Sequence, residues 1–150
     1  MENKPTNELN SILEKTSPGQ LENYLRENKK YLANDMTFSY YFKDTLEQKH
    51  VKLKDVYVFA GVSESYGSKI LSMRSHAKNR DLIIRLCVAG RFTWEETNRA
   101  LKLYGMTELY SKDPRDACII VALNNRIYDV YEIDALLEKN ELKKISSNIS

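Results

Sequence analysis

The chain has few of the residues that mark specialised classes of protein: two cysteines, five glycines and three prolines among 150 residues. Cys87 and Cys118 are neither in CxxC spacing nor near a histidine, which favours buried, reduced thiols over a disulfide or a nucleophile. Global disorder is excluded because 42% of the residues are hydrophobic and ten are tyrosines, enough for a sizeable core.

Long apolar runs are also absent. No stretch approaches the roughly 18 residues that a membrane-spanning helix needs. The first ten residues, MENKPTNELN, lack the charged-then-apolar layout of a signal peptide. With the two unpaired cysteines, these features predict a cytoplasmic protein.

The sequence contains no Gly-rich phosphate loop, nucleophile elbow or HExxH motif. His50 and His76 lie in polar stretches without carboxylate or cysteine neighbours, which disfavours a metal ligand or general base. We therefore expect no catalytic, cofactor-binding or metal site, and no enzyme.

Net charge is only +2, but it is unevenly distributed. Residues 37–85 carry nine basic and five acidic side chains, whereas residues 108–150 carry six basic and eight acidic ones. Within this region, five basic residues lie in a stretch whose only acidic residues are Glu64 and Asp81. They are Lys69, Arg74, Lys78, Arg80 and Arg85. A localised basic region is what phosphate binding requires, and a solvated helix face is the alternative interpretation.

Apolar residues recur every three or four positions, which predicts an all-α, single-domain bundle of seven or eight helices. Thr93 followed by Glu96 has the spacing of a capping box, and Ser17-Pro18 and Asp113-Pro114 are typical helix starts. We expect a helical N-terminal extension over 1–36, a central domain over 37–105, and a helical C-terminal extension over 106–150 packed on it, frayed from about residue 144.

The most informative stretch is LKDVYVFAGVSESYGSKIL, residues 53–71. Gly61 can supply the left-handed backbone of a turn between two helices, and Ser63 can cap the second helix, as a helix-turn-helix requires. The polar residues expected to face outward from the second helix are Ser63, Glu64, Ser65, Ser68 and Lys69.

This stretch resembles the phage-repressor-like (XRE) helix-turn-helix family, and the resemblance covers about residues 38–105. Residues 106–140 resemble the C-terminal extension of small regulators of this type in Gram-positive bacteria. Tyr57 stands where the family usually has a small residue, and Gly67 stands where it has a bulky one. We expect the Tyr57 ring to fill the space that Gly67 vacates.

The resemblance implies a DNA-binding transcriptional regulator without a cofactor, whose second helix enters the major groove of double-stranded DNA. By the same resemblance Arg74, Lys78 and Arg80 would contact the DNA backbone, and the protein would act as a dimer. Glu64 has two interpretations: a base contact to cytosine N4, or a charge that complements the helix dipole.

The alternative function is an adaptor that retains the helix-turn-helix as a scaffold and binds another protein. The N-terminal segment, residues 6–33, and the acidic C-terminal helices are candidates for dimerisation or for contact with a partner protein.

Overall fold

The structure is a computed structural model that describes residues 6–27 and 37–146. Regular structure in these two ranges consists of nine α-helices and one short 3₁₀ helix, with no β-strand. The predicted all-α class is confirmed, with one helix more than the upper expected number. None of the described helices has the length and apolar character that crossing a bilayer requires. The chain divides into two compact units, residues 1–35 and 36–150.

The first unit contains α1 (Thr6–Glu14) and α2 (Leu21–Glu27), with the 3₁₀ helix Pro18–Gln20 directly before α2. The backbone N–H of Ser17 donates to Gln20 Oε1 at 3.1 Å, and Pro18 occupies a position where a missing N–H does no harm. Residues 1–5 and 28–36 of the predicted N-terminal extension lie outside the described residues.

The second unit contains seven α-helices. Their bounds are α3 (Thr37–Gln48), α4 (Leu53–Ala60), α5 (Glu64–Leu71), α6 (Arg80–Ala89), α7 (Trp94–Tyr104), α8 (Pro114–Asn124) and α9 (Val130–Lys139).

Helix α6 is the centre of this unit and packs against α4, α7 and α9. Every residue from 81 to 90 is buried, as expected for a helix with apolar residues around most of its circumference. An aromatic group from α3, α7 and the α6–α7 turn completes the core beside it. Phe38 meets Tyr104 edge-on at 4.8 Å, and Phe42 lies 5.0 Å from Phe92 between ring centroids.

The predicted helix caps are present. Glu96 N–H donates to Thr93 Oγ1 at 3.1 Å, and Thr93 N–H donates to Glu96 Oε1 at 2.9 Å, so the capping box is confirmed. Asp113 accepts from the backbone of Asp116 at 2.9 Å and caps α8 in the same way.

Two reciprocal ion pairs join the first turns of α6 and α8. Arg80 binds the Asp116 carboxylate with both terminal nitrogens, and Arg115 binds the Asp81 carboxylate in the same bidentate manner. Both carboxylates are almost fully buried, at 3% and 5% exposed. Buried charges need such partners, so these pairs align the starts of the two helices.

The expectation of a frayed tail from about residue 144 is corrected for residues 144–146. Ile145 is fully buried, and its backbone N–H donates to Asp134 Oδ1 at 2.8 Å. Arg85 donates to the Ile145 carbonyl, also at 2.8 Å. Fraying was predicted for this polar, lysine-rich segment. The buried Ile145 side chain and the hydrogen bonds to Arg85 and Asp134 instead hold it against the helices. Residues 147–150 lie outside the described part.

Candidate nucleic-acid interface

Helices α4 and α5 are joined by residues 61–63. Gly61 has φ +72° and ψ 38°, a left-handed conformation in which glycine is unstrained. The Val62 N–H donates to the Tyr57 carbonyl at 2.9 Å, which closes the end of α4. Ser63 Oγ accepts from the Tyr66 N–H at 3.1 Å and caps α5. The left-handed glycine and the capping serine predicted for this turn are both confirmed.

The contact predicted between Tyr57 and Gly67 is also confirmed. A Cβ atom added to Gly67 would lie 2.5 Å from Tyr57 Cε1 and 2.6 Å from Cδ1, closer than real Cβ contacts allow. Tyr57 is only 4% exposed. Burial raises the pKa of its phenol, and the Glu64 carboxylate raises that pKa further. The ring therefore occupies the space that a side chain at position 67 would need.

The outer face of α5 is polar and open. Ser63, Glu64, Ser65 and Lys69 are exposed, whereas Ser68 is half-buried and donates its hydroxyl hydrogen to the Ser65 carbonyl at 3.0 Å. The helix thus presents hydroxyl and carboxylate groups to solvent at its N-terminal end and an ammonium group in its last turn. Of the five residues predicted to face outward here, Ser68 is the least available.

The segment after α5, residues 72–79, presents two exposed cations, Arg74 and Lys78. Met73 has φ +63°, which reverses the chain at the end of α5. The Arg74 N–H then donates to the Lys69 carbonyl at 2.9 Å, and Arg74 Nε donates to Ser72 Oγ at 3.0 Å. No ion pair within the described ranges involves Arg74, Lys78 or Lys69. These three cations are therefore free to meet an anionic partner.

Tyr104, a residue that no sequence motif singles out, anchors this segment. Its hydroxyl oxygen accepts from the Ala77 N–H at 2.7 Å and its hydroxyl hydrogen points to the Ser75 carbonyl at 3.4 Å. The His76 ring stacks on the Tyr104 ring with centroids 4.8 Å apart. The phenol comes from α7, 27 residues further along the chain than Ala77, so no local pattern signals this contact.

The structure places Arg80 differently from the other predicted phosphate ligands. Its guanidinium binds Asp116 and also donates to the carbonyls of Thr107 at 3.2 Å and Glu108 at 3.1 Å. A guanidinium with these partners is neutralised and positioned by the protein itself. This geometry disfavours the phosphate contact expected of Arg80.

Arg85 belongs to the core and not to the surface. It is 1% exposed and donates to the Ala60 carbonyl at 3.0 Å as well as to the Ile145 carbonyl. Of the five cations singled out in the central sequence, three remain exposed, namely Lys69, Arg74 and Lys78. The usable basic surface is thus smaller than the sequence indicates.

Two apolar side chains on α4 are exposed. Val58 is 73% exposed and Phe59 is 66% exposed, whereas the next residue, Ala60, is 2% exposed. Two adjacent exposed apolar residues form an unusual feature on a helix whose other face is fully buried.

An open, mainly apolar groove of about 420 Å³ lies between α8 and α9. Its lining residues include Pro114, Ala117, Cys118, Val121, Leu136 and Leu142. Val121 is 54% exposed at its rim. This is a second apolar surface, on the C-terminal helices for which a partner contact was expected.

No family model, curated protein or solved structure matches the chain. Its function is therefore inferred from its own residues and geometry.

Proposed function

We propose that the protein is a DNA-binding transcriptional regulator of helix-turn-helix type, with α5 as the helix that enters the major groove. The observation that carries this proposal is the capped, polar face of α5 followed directly by exposed cations outside any ion pair of the described residues. Major-groove readers combine these two features, because polar side chains contact base edges and cations fix the register on phosphates.

The proposed roles follow from exposure and chemistry. Lys69, Arg74 and Lys78 bind phosphates, where positive charge displaces condensed counterions. Ser63, Ser65 and Glu64 are positioned for base edges, and the Glu64 carboxylate accepts from cytosine N4. Arg80 acts indirectly, because its pairing with Asp116 sets where α6 begins after the basic segment.

Two copies on paired half-sites fit this mode of binding, since a single short helix reads few base pairs. The first unit offers a candidate homodimer contact, because Leu13, Leu21 and Leu25 are each 43–48% exposed. The two reading helices of such a dimer would lie about one turn of DNA apart.

The experiment is selection of duplexes from a random double-stranded library by the purified protein, at low and moderate salt. An enriched motif, particularly one with two related halves, supports the proposal. Ser65→Ala and Glu64→Ala should change the enriched bases. Retention of duplexes without any enriched motif would contradict sequence-specific regulation.

A second candidate function is a protein-interaction adaptor that keeps the α4–α5 pair as a scaffold. The exposed Val58 and Phe59 favour it, because adjacent exposed apolar side chains are typical of protein contacts. Two results together would support the adaptor function. The wild type would retain a protein partner that the double variant Val58→Ser/Phe59→Ser loses, and the duplex selection would enrich no DNA motif.

A further inference from the structure

Residues 143–146, near the C-terminal end of the second unit, are held against the rest of that unit by several charged groups. Three consecutive backbone carbonyls, those of residues 143, 144 and 145, accept hydrogen bonds from arginine side chains. Arg115 donates to the first two at 2.8 and 2.9 Å, and Arg85 donates to the third at 2.8 Å.

Asp134 of α9 completes the attachment from the other side. Its carboxylate accepts from the Ile145 N–H at 2.8 Å and from the Ser146 hydroxyl. Asp134 is 4% exposed, and its charge favours the ionised form of Arg85, whose pKa burial lowers. The Ile145 side chain between these groups is fully buried.

Arg85 connects this segment to the α4–α5 turn. Its Nε donates to the carbonyl of Ala60, the last residue of α4, and its Nη1 donates to the carbonyl of Ile145. A carbonyl at a helix C-terminus lacks an intrahelical partner, and a cation there complements the helix dipole. One buried guanidinium thus holds both the end of α4 and the C-terminal segment.

We infer that residues 143–146 form a C-terminal strap that holds the α4–α5 turn in place through Arg85. When the strap leaves, Arg85 loses one of its two carbonyl acceptors and Asp134 loses two donors. A buried guanidinium that has lost one of its two carbonyl acceptors draws in water or moves, and in either case its hydrogen bond to Ala60 weakens. The α4–α5 pair is then the element that loosens.

The strap is consequently a point of control for the outer face of α5. Cleavage before Lys143, or capture of residues 143–146 by another molecule, would lower the order of α5 without contacting it. The consequence for DNA rests on the proposed function, whereas the strap and its coupling to α4–α5 do not.

The test is hydrogen–deuterium exchange followed by mass spectrometry on three proteins. They are the full chain, a chain that stops after Leu142, and a control chain that stops after Ser146 and keeps the strap. In the chain without the strap, we expect exchange of residues 61–71 to rise by about tenfold or more. The aromatic core peptides of α3 and α7 should change much less, and the control should match the full chain.

Ile145→Ala provides a milder version should the shortened chain unfold. It removes only the buried side chain that anchors the strap, so the strap should detach more often, and a smaller rise in the exchange of residues 61–71 is expected. Unchanged exchange at residues 61–71 in both variants would overturn the inference. A rise of equal size in α3, α5 and α7 would also overturn it, because the strap would then be a general part of the core. DNA affinity measured on the same proteins separates the two proposals, since the exchange result does not depend on any ligand.

Discussion

The Tyr57 ring lies against the backbone of Gly67 so closely that a Cβ atom at position 67 would be 2.5 Å from Tyr57 Cε1. The two residues are ten positions apart on α4 and α5, and their contact sets how near the helices approach. A tyrosine ring is rigid and buried here, so it has little room to yield.

The first prediction follows from this contact. Gly67→Ala would stabilise an unhindered helix by about 1 kcal/mol through helix propensity. In this protein we expect it to lower the free energy of unfolding instead, by about 1–3 kcal/mol, because the added methyl group overpacks the contact. Urea denaturation measures the change.

The matched control is Gly67→Ala in a Tyr57→Ala background, where the methyl group has space and the substitution should stabilise. The two backgrounds form a double-mutant cycle. Equal effects of Gly67→Ala in both would show that the ring does not fill this space.

The second prediction separates the structural arginine from the exposed cations. Arg80→Gln leaves the buried Asp116 carboxylate without its charged partner, so we expect a loss of about 1–3 kcal/mol in the free energy of unfolding. Lys78→Gln removes an exposed side chain and should change stability by less than about 0.5 kcal/mol. Thermal unfolding of both variants tests the difference, and similar melting temperatures would argue against the assignment of Arg80.

The third prediction concerns the two thiols. Burial raises the pKa of Cys87, which is fully enclosed, and raises that of the half-buried Cys118. The thiolate is the reactive form, so raised pKa values mean little reaction near neutral pH and faster reaction as pH rises. Cys118 should be alkylated first, with Cys87 modified only on unfolding. Peptide mapping after timed iodoacetamide treatment gives the order, and prior labelling of Cys87 would contradict the packing of α6.

Local patterns predicted much of this fold. Gly61, Ser63 and the Thr93–Glu96 box could be recognised because each acts on residues within four positions of itself. The roles of Arg80 and Arg85 could not, since Asp116 is 36 residues from the first and Ile145 is 60 residues from the second. The sequence around a basic residue does not show whether a carboxylate or carbonyl far along the chain will bind its side chain. For that reason the basic surface was predicted too large and the C-terminal segment too loose.

Binding of DNA phosphates by the exposed cations around α5 is tested most directly by the salt dependence of affinity. Fluorescence anisotropy of a labelled duplex should be recorded over a salt series with the wild type, Arg74→Gln, Lys78→Gln and Arg80→Gln. Removal of one phosphate-binding cation lowers the slope of log affinity against log salt by about one. We predict that decrease for Arg74→Gln and Lys78→Gln and an unchanged slope for folded Arg80→Gln. No binding by the wild type at low salt, or slopes unaffected by Arg74→Gln and Lys78→Gln, would contradict phosphate binding by this surface.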